Sequence, residues 1–235
     1  MSALARAAVV AEMQARELLR RRAVMVLLVA LPAAFYFSVP ADQAWGVLSG
    51  SIGVSWAVAA AGLFAVLGWR RADPRLALAG APAWQGIVGR LLLLHVLGLA
   101  LVGVFAPLIL SRSGAHIDDG AAMVSALVLM AVVSVAMGLF IGAVVPRELE
   151  GTLVLIGVVG VAMSVPPETA VAKALPLWGP IEIMVTATGA GDGSSAAALV
   201  HGLLSALLLL AVAFWAWRRR VRVHMPAPAA LRHST

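Results

Sequence analysis

Six long apolar stretches, at 23–39, 45–69, 91–110, 121–145, 152–165 and 196–217, alternate with short segments that hold nearly all of the ionisable residues. Most supply the ~20 apolar residues needed to cross a hydrocarbon core of about 30 Å. Inside a bilayer no water reaches the backbone, so each crossing segment must close its own hydrogen bonds as a helix. The short alternating strands of a membrane barrel have no counterpart in this pattern. The sequence therefore predicts an all-α membrane protein with six transmembrane helices.

Arginine gives the orientation. Arg6, Arg16, Arg20, Arg21 and Arg22 precede the first stretch, Arg70, Arg71, Arg75 and Arg90 separate the second from the third, and Arg147 separates the fourth from the fifth. Arg218, Arg219, Arg220, Arg222 and Arg232 follow the last, and only Arg112 and Lys173 fall in the other connections. Basic residues stay on the cytoplasmic side, so both termini are expected there. Asp42, Asp118, Asp119, Glu168, Glu182 and Asp192 then lie outside. The net charge of +6 reports topology and contact with anionic membrane lipid, and nucleic acid is not an expected partner. Arginine replaces lysine almost throughout and alanine and valine dominate, the mark of a GC-rich bacterial genome; the expected location is the bacterial plasma (inner) membrane.

The connections are uneven. Residues 1–22 carry Leu4, Ala8, Ala11, Ala15, Leu18 and Leu19 at helical spacing against Arg6, Glu12, Arg16, Glu17 and Arg20, which predicts an amphipathic helix in the interface. With Glu12 and Glu17 in that leader, the first stretch reads as a retained signal-anchor. Pro32 is expected to kink it. Between the second and third stretches, Asp73 is a candidate N-cap with Pro74 at the first helical position, and Gly80 and Pro82 end a short helix over 73–80. The connection 166–195 holds two apolar pieces, 169–175 and 181–188, too short to span and suited to re-entrant or interfacial half-helices, and then a Gly-rich tip at 189–195. The chain thus divides into the entry helix, a six-span domain at 23–217 and a basic cytoplasmic tail at 218–235.

Within the stretches, Ser134, Gly138 and Gly142, then Gly46, Gly50 and Gly53, and then Gly157 and Gly160 form rows of small residues, the usual contact faces of helices in lipid. Chemistry is scarce. Cysteine is absent, which removes disulfides and thiolate sites. His95 and His201 are the ionisable groups within the spans; each is a candidate functional residue, and the simpler account is a neutral, hydrogen-bonded ring, His201 to Ser205. No phosphate-cradling, zinc-protease or serine-hydrolase motif occurs, so no catalytic or metal-binding residue is assigned.

The layout as a whole resembles the membrane subunit of ABC-2-type (type V) exporters. The segment 70–90 is similar to that family's coupling region: a charged run with Arg71, Asp73 and Arg75, a turn with Leu76 and Leu78, then Gly89 and Arg90. Val-Pro-Arg-Glu-Leu-Glu-Gly-Thr at 145–152 is similar to the loop before the fifth span, and Leu-Pro-Leu-Trp-Gly-Pro at 175–180 to the re-entrant segment before the sixth. The resemblance implies an ATP-driven permease for a hydrophobic or amphipathic molecule, a drug, lipid or natural product. It implies docking to an ABC ATP-binding subunit through Arg70, Arg71, Asp73, Arg75, Leu76, Leu78, Arg147, Glu148 and Glu150. A substrate cavity at the seam between two permease copies is expected, lined by Trp56, Phe64, Val158 and Met163, and a re-entrant segment carrying Pro176, Trp178, Pro180 and Glu182. No cofactor is expected in this chain, because ATP and magnesium belong to the partner. A second permease copy, identical or not, completes the expected assembly.

Three other accounts fit the same architecture. The haem-exporter permease of cytochrome c maturation has a comparable six-span plan. An intramembrane enzyme would need an acid, base or metal constellation that the sequence does not display. A membrane anchor or immunity protein would need only a binding surface.

Overall fold

The computed structural model describes residues 3–20, 22–40, 44–70, 83–191 and 193–223, and all regular structure among them is helical. α1 (Ala3–Arg20) is the amphipathic entry helix, with an Arg16–Glu12 pair one turn apart at 2.5 Å. α2 (Arg22–Phe37) continues through Pro32. α3 (Ala44–Trp69) follows, then α4 (Ala83–Ser113), which a single 3-10 turn at Gly114–His116 ends. α5 (Gly120–Val144) starts on Asp119, whose carboxylate accepts from the Ala121 and Ala122 N–H groups at 2.9 Å each, satisfying two otherwise orphaned donors. α6 (Glu148–Ser164), the one-turn α7 (Ala170–Lys173), α8 (Trp178–Ala187) and α9 (Ser195–Val223) complete the order.

Four of these helices, α3, α4, α5 and α9, are long and apolar enough to cross a membrane. The chain is an all-α, multi-pass membrane protein. The other two expected spans fold as shorter helices: 16 residues in α2 and 17 in α6. At 1.5 Å per residue they reach about 24–26 Å. α4 is longer than its apolar stretch predicts, adding residues 83–90 at its start; no proline interrupts it between Pro82, which directly precedes Ala83, and Pro107.

α5 is the hub. It packs against α3, α4, α8 and α9, and 78% of its apolar window is buried, against 22% for α9, whose Leu203, Leu204, Leu207 and Leu208 face outward. A helix apolar all round belongs in the middle; one buried on a single face leaves its other leucines to lipid. The close contact of α3 with α5 depends on small residues, because a methyl group at Gly138 would collide with the Ala59 carbonyl. Beside it, Ser55 and Ser134 share a buried hydrogen bond of 2.7 Å, an interhelical contact of a kind worth about 0.6 kcal/mol in a bilayer. α2 closes on α3 in the same way, since a methyl group at Gly53 would lie 2.7 Å from the Pro32 Cα. The third row behaves differently: a methyl group at Gly157 or Gly160 on α6 would meet no neighbouring element within 4 Å, and that face is open together with Leu153 and Ile156.

The arginines collect at one end. Arg70 donates to carbonyls at the end of α5, next to Arg147, and the Arg90 guanidinium lies over the Trp69 ring at 6.0 Å. α9 runs beside α5 in the same direction, with Gly202 against Leu129, so Arg218 and Arg219 reach that end too, stacked on Phe214 and Trp215. Asp118, Asp119 and Glu182 lie at the opposite end, with Arg112 over Phe37 at 4.9 Å.

Candidate functional site

At the acidic end, α8 is seated inside the bundle. Its start is permitted by Pro180, which falls in the first turn where a missing N–H costs nothing, so the helix begins at Trp178 rather than after the proline as the sequence pattern predicts. Its end is a Schellman cap: the Gly189 N–H donates to the Thr186 carbonyl at 3.0 Å and the Ala190 N–H to that of Val185 at 3.2 Å, with Gly189 at φ +69°. Only glycine takes that backbone without strain. The Asp118 and Asp119 N–H groups both donate to the Ala187 carbonyl, tying the α4–α5 connection to the same cap.

Two aromatic residues fasten the other end of α8. Trp178 donates its indole N–H to the Pro167 carbonyl at 2.7 Å, and the His201 ring on α9 meets its edge with centroids 4.9 Å apart. His201 Nε2 lies 2.9 Å from the Lys173 carbonyl, so Nε2 carries the proton and donates. His201 is therefore hydrogen-bonded to the Lys173 carbonyl and not to Ser205. His95 Nδ1 lies 2.7 Å from the Leu91 carbonyl one turn back. Gly179 lets α8 press against Ala198 and Gly202 of α9.

Beside α8 opens a cleft of about 470 Å³. Val47 and Leu48 of α3 form one wall, Ala162, Met163 and Ser164 of α6 a second, and Ile181, Met184, Val185 and Thr188 of α8 a third. The connection Val165, Pro166, Pro167 and Glu168 borders it, with Ala190 at the cap. The volume is that of a site for a drug-sized molecule, and two methionines give it an adaptable lining.

Of the four residues expected to form a cavity, Met163 alone lines this cleft. Trp56 and Val158 are half-buried against the core, and Phe64, nearer the arginine end, is exposed. Midway along, α3 packs against α2 and α5. The cleft lies instead where α3 starts and α6 ends, and its main wall, Ile181 and Met184, is three residues apart on one face of α8. In the segment expected to be re-entrant, Pro180 is buried, Trp178 and Pro176 are half-buried, and half-buried Glu182 faces Gly193. The Gly-rich tip packs at three glycines, Gly189 against Asp118, Gly191 against Val185 and Gly193 against Glu182.

At the arginine end, Arg71, Asp73, Arg75, Leu76 and Leu78, with the helix expected over 73–80, lie outside the described residues. Arg70 donates to the Gly142 and Pro146 carbonyls at 2.8 Å each and also to that of Val145. Arg147 pairs with Glu150 at 2.6 Å on the exposed start of α6, where Glu148 is also exposed; the Glu150 carboxylate holds the guanidinium pKa above its ordinary value. Sequence reasoning passed over Gln14 and Gln85, buried amides on α1 and α4. Among the described residues no group of three or more His, Asp or Glu side chains is placed to hold a metal ion.

Fold and cleft together define a helical membrane protein with an apolar recess at one end and Arg70, Arg90, Arg147, Arg218 and Arg219 at the other. No protein-family model matches the chain, and no curated protein matches it.

Proposed function

We propose that this chain is the permease subunit of an ABC-2-type exporter, moving a hydrophobic or amphipathic molecule out of the cytoplasm or inner leaflet of a bacterial plasma membrane. The observation that carries the proposal is the short buried helix α8, docked on the last long helix beside an apolar cleft and at the end opposite the arginines. Such a helix suits a re-entrant element. On this account α2 and α6 also cross, their short lengths met by local thinning of the bilayer, which gives six spans with both termini cytoplasmic.

The segment 71–82 leaves the end that Arg70 fixes and docks on a separately encoded ATP-binding subunit, which supplies ATP and magnesium. Closure of two such subunits would push paired permeases between inward- and outward-open states. The open α6 face with Gly157 and Gly160, adjoining the cleft, suits the second permease copy. The haem account gains nothing from the histidines, because His95 and His201 lie at opposite ends, each on a backbone carbonyl.

The test is co-expression with the candidate ATP-binding subunit, with co-purification and ATP-dependent efflux as readouts. Arg71→Glu with Arg75→Glu, and separately Leu76→Asp, should leave the chain inserted and release the partner. If no nucleotide-binding protein associates, or both variants keep partner and efflux, the assignment is wrong.

A further inference from the structure

The cleft's polar groups all favour positive charge. Ser164 spends its proton on the Gly160 carbonyl at 2.8 Å and Thr188 spends its own on that of Val185 at 2.9 Å, so both present only oxygen lone pairs to the cleft. Among the described residues the one charged lining group is the Glu168 carboxylate, exposed at the mouth, and no lysine, arginine or histidine lines the space. Two walls are the C-terminal ends of α6 and α8, the negative ends of their helix dipoles, against the single positive end of α3 at Val47 and Leu48. A ligand here meets acceptors, a carboxylate and apolar surface, and no side-chain donor.

We propose that the cleft binds a lipophilic amine, its alkyl part along Leu48, Met163 and Met184 and its ammonium group at Glu168. An anionic amphiphile of equal length would face the same carboxylate and dipole ends and be rejected. This inference deepens the export proposal and takes its biological meaning from it, but the binding itself needs neither ATP nor a partner subunit.

The full chain in phosphatidylcholine nanodiscs is titrated with radiolabelled decylammonium, empty discs giving the partition background, and decyl sulfate and decanol serve as competitors. Saturable decylammonium binding is expected, with decyl sulfate unable to compete. Glu168→Gln, at an exposed position that leaves the fold intact, should weaken the amine about fivefold, the scale of one exposed ion pair, and leave decanol unchanged. Glu168→Asp should restore most of the affinity, and Leu48→Trp, which fills the cleft, should abolish it. Unchanged affinity in Glu168→Gln overturns the inference, as does equal binding of all three probes, which would mark an acyl-chain slot for lipid. Amine binding that survives while no ATP-binding subunit associates would refute the export proposal alone. ATP-driven efflux of some other molecule, with no amine binding, would refute this inference alone.

Discussion

Replacing Arg70 by methionine is expected to loosen the joint between α3 and the end of α5. The guanidinium donates to the carbonyls of Gly142, Val145 and Pro146, the orphaned acceptors of a helix end, and places positive charge at the negative pole of the α5 dipole. Hydrogen bonds with one charged partner contribute about 1.5–3 kcal/mol each when buried, but the bond to Pro146 is exposed and the three share one side chain. A combined loss of about 2–4 kcal/mol follows, because two part-buried bonds survive the discount for solvent. Lysine keeps the charge without the fork and should recover about half. Unfolding of the chain without any partner, followed by tryptophan fluorescence near Trp69, gives the magnitude; amide exchange at residues 145–151 gives the location. A methionine variant within ~0.5 kcal/mol of the parent, or a loss with unchanged exchange there, would refute the argument.

Other consequences follow from the same contacts. Gly138→Val, which drives a side chain into the Ala59 carbonyl, should cost about 1–3 kcal/mol and separate α3 from α5, read as increased protease sensitivity; a stable, resistant variant would contradict the close approach. Trp178→Phe and His201→Phe each remove one donor to a backbone carbonyl and should each cost about 1 kcal/mol, and a double variant no worse than either single one would show that the two bonds form one unit. Arg147→Gln should leave the unfolding midpoint unchanged, since its pair with Glu150 is solvent-exposed. In this cysteine-free chain, cysteines placed singly at Ser2, Ser194 and Ser234 should react with an impermeant thiol reagent on intact cells only at Ser194; labelling of Ser2 would overturn the topology.

The long helices were legible because periodicity is irrelevant to a segment apolar on every side: length alone marks 45–69, 121–145 and 196–217. Arginine placement was legible for the same reason, and Arg70, Arg90, Arg147 and Arg218 do gather at one end. What failed was anything decided by pairwise contact. Composition cannot say that Gly138 meets a backbone while Gly157 meets no neighbouring element, since both sit in similar rows of small residues. α8 starts at Trp178, ahead of the apolar piece at 181–188, because Pro180 is harmless at the third helical position. The cleft within one chain was not legible, because Trp56 and Phe64 mark a seam between copies and say nothing of the start of α3. Only the contacts of α8 reveal that Val47 and Leu48 border the space.

The seat of α8 also bears on how the protein is made. Every feature that holds α8 in place from the far side, Ala198, His201 and Gly202, belongs to a helix synthesised after it. While the ribosome is still extending α9, the segment from Trp178 to Ala187 has only the α5 side of its groove to rest against, and at ten residues it is too short to lodge in the bilayer alone. It must wait at the surface until the last helix is inserted, so the order of synthesis leaves the cleft's main wall as the final piece to settle. A chain truncated within α9 would expose Ile181 and Met184 and become a substrate for quality-control proteolysis, even with all its earlier helices correctly placed.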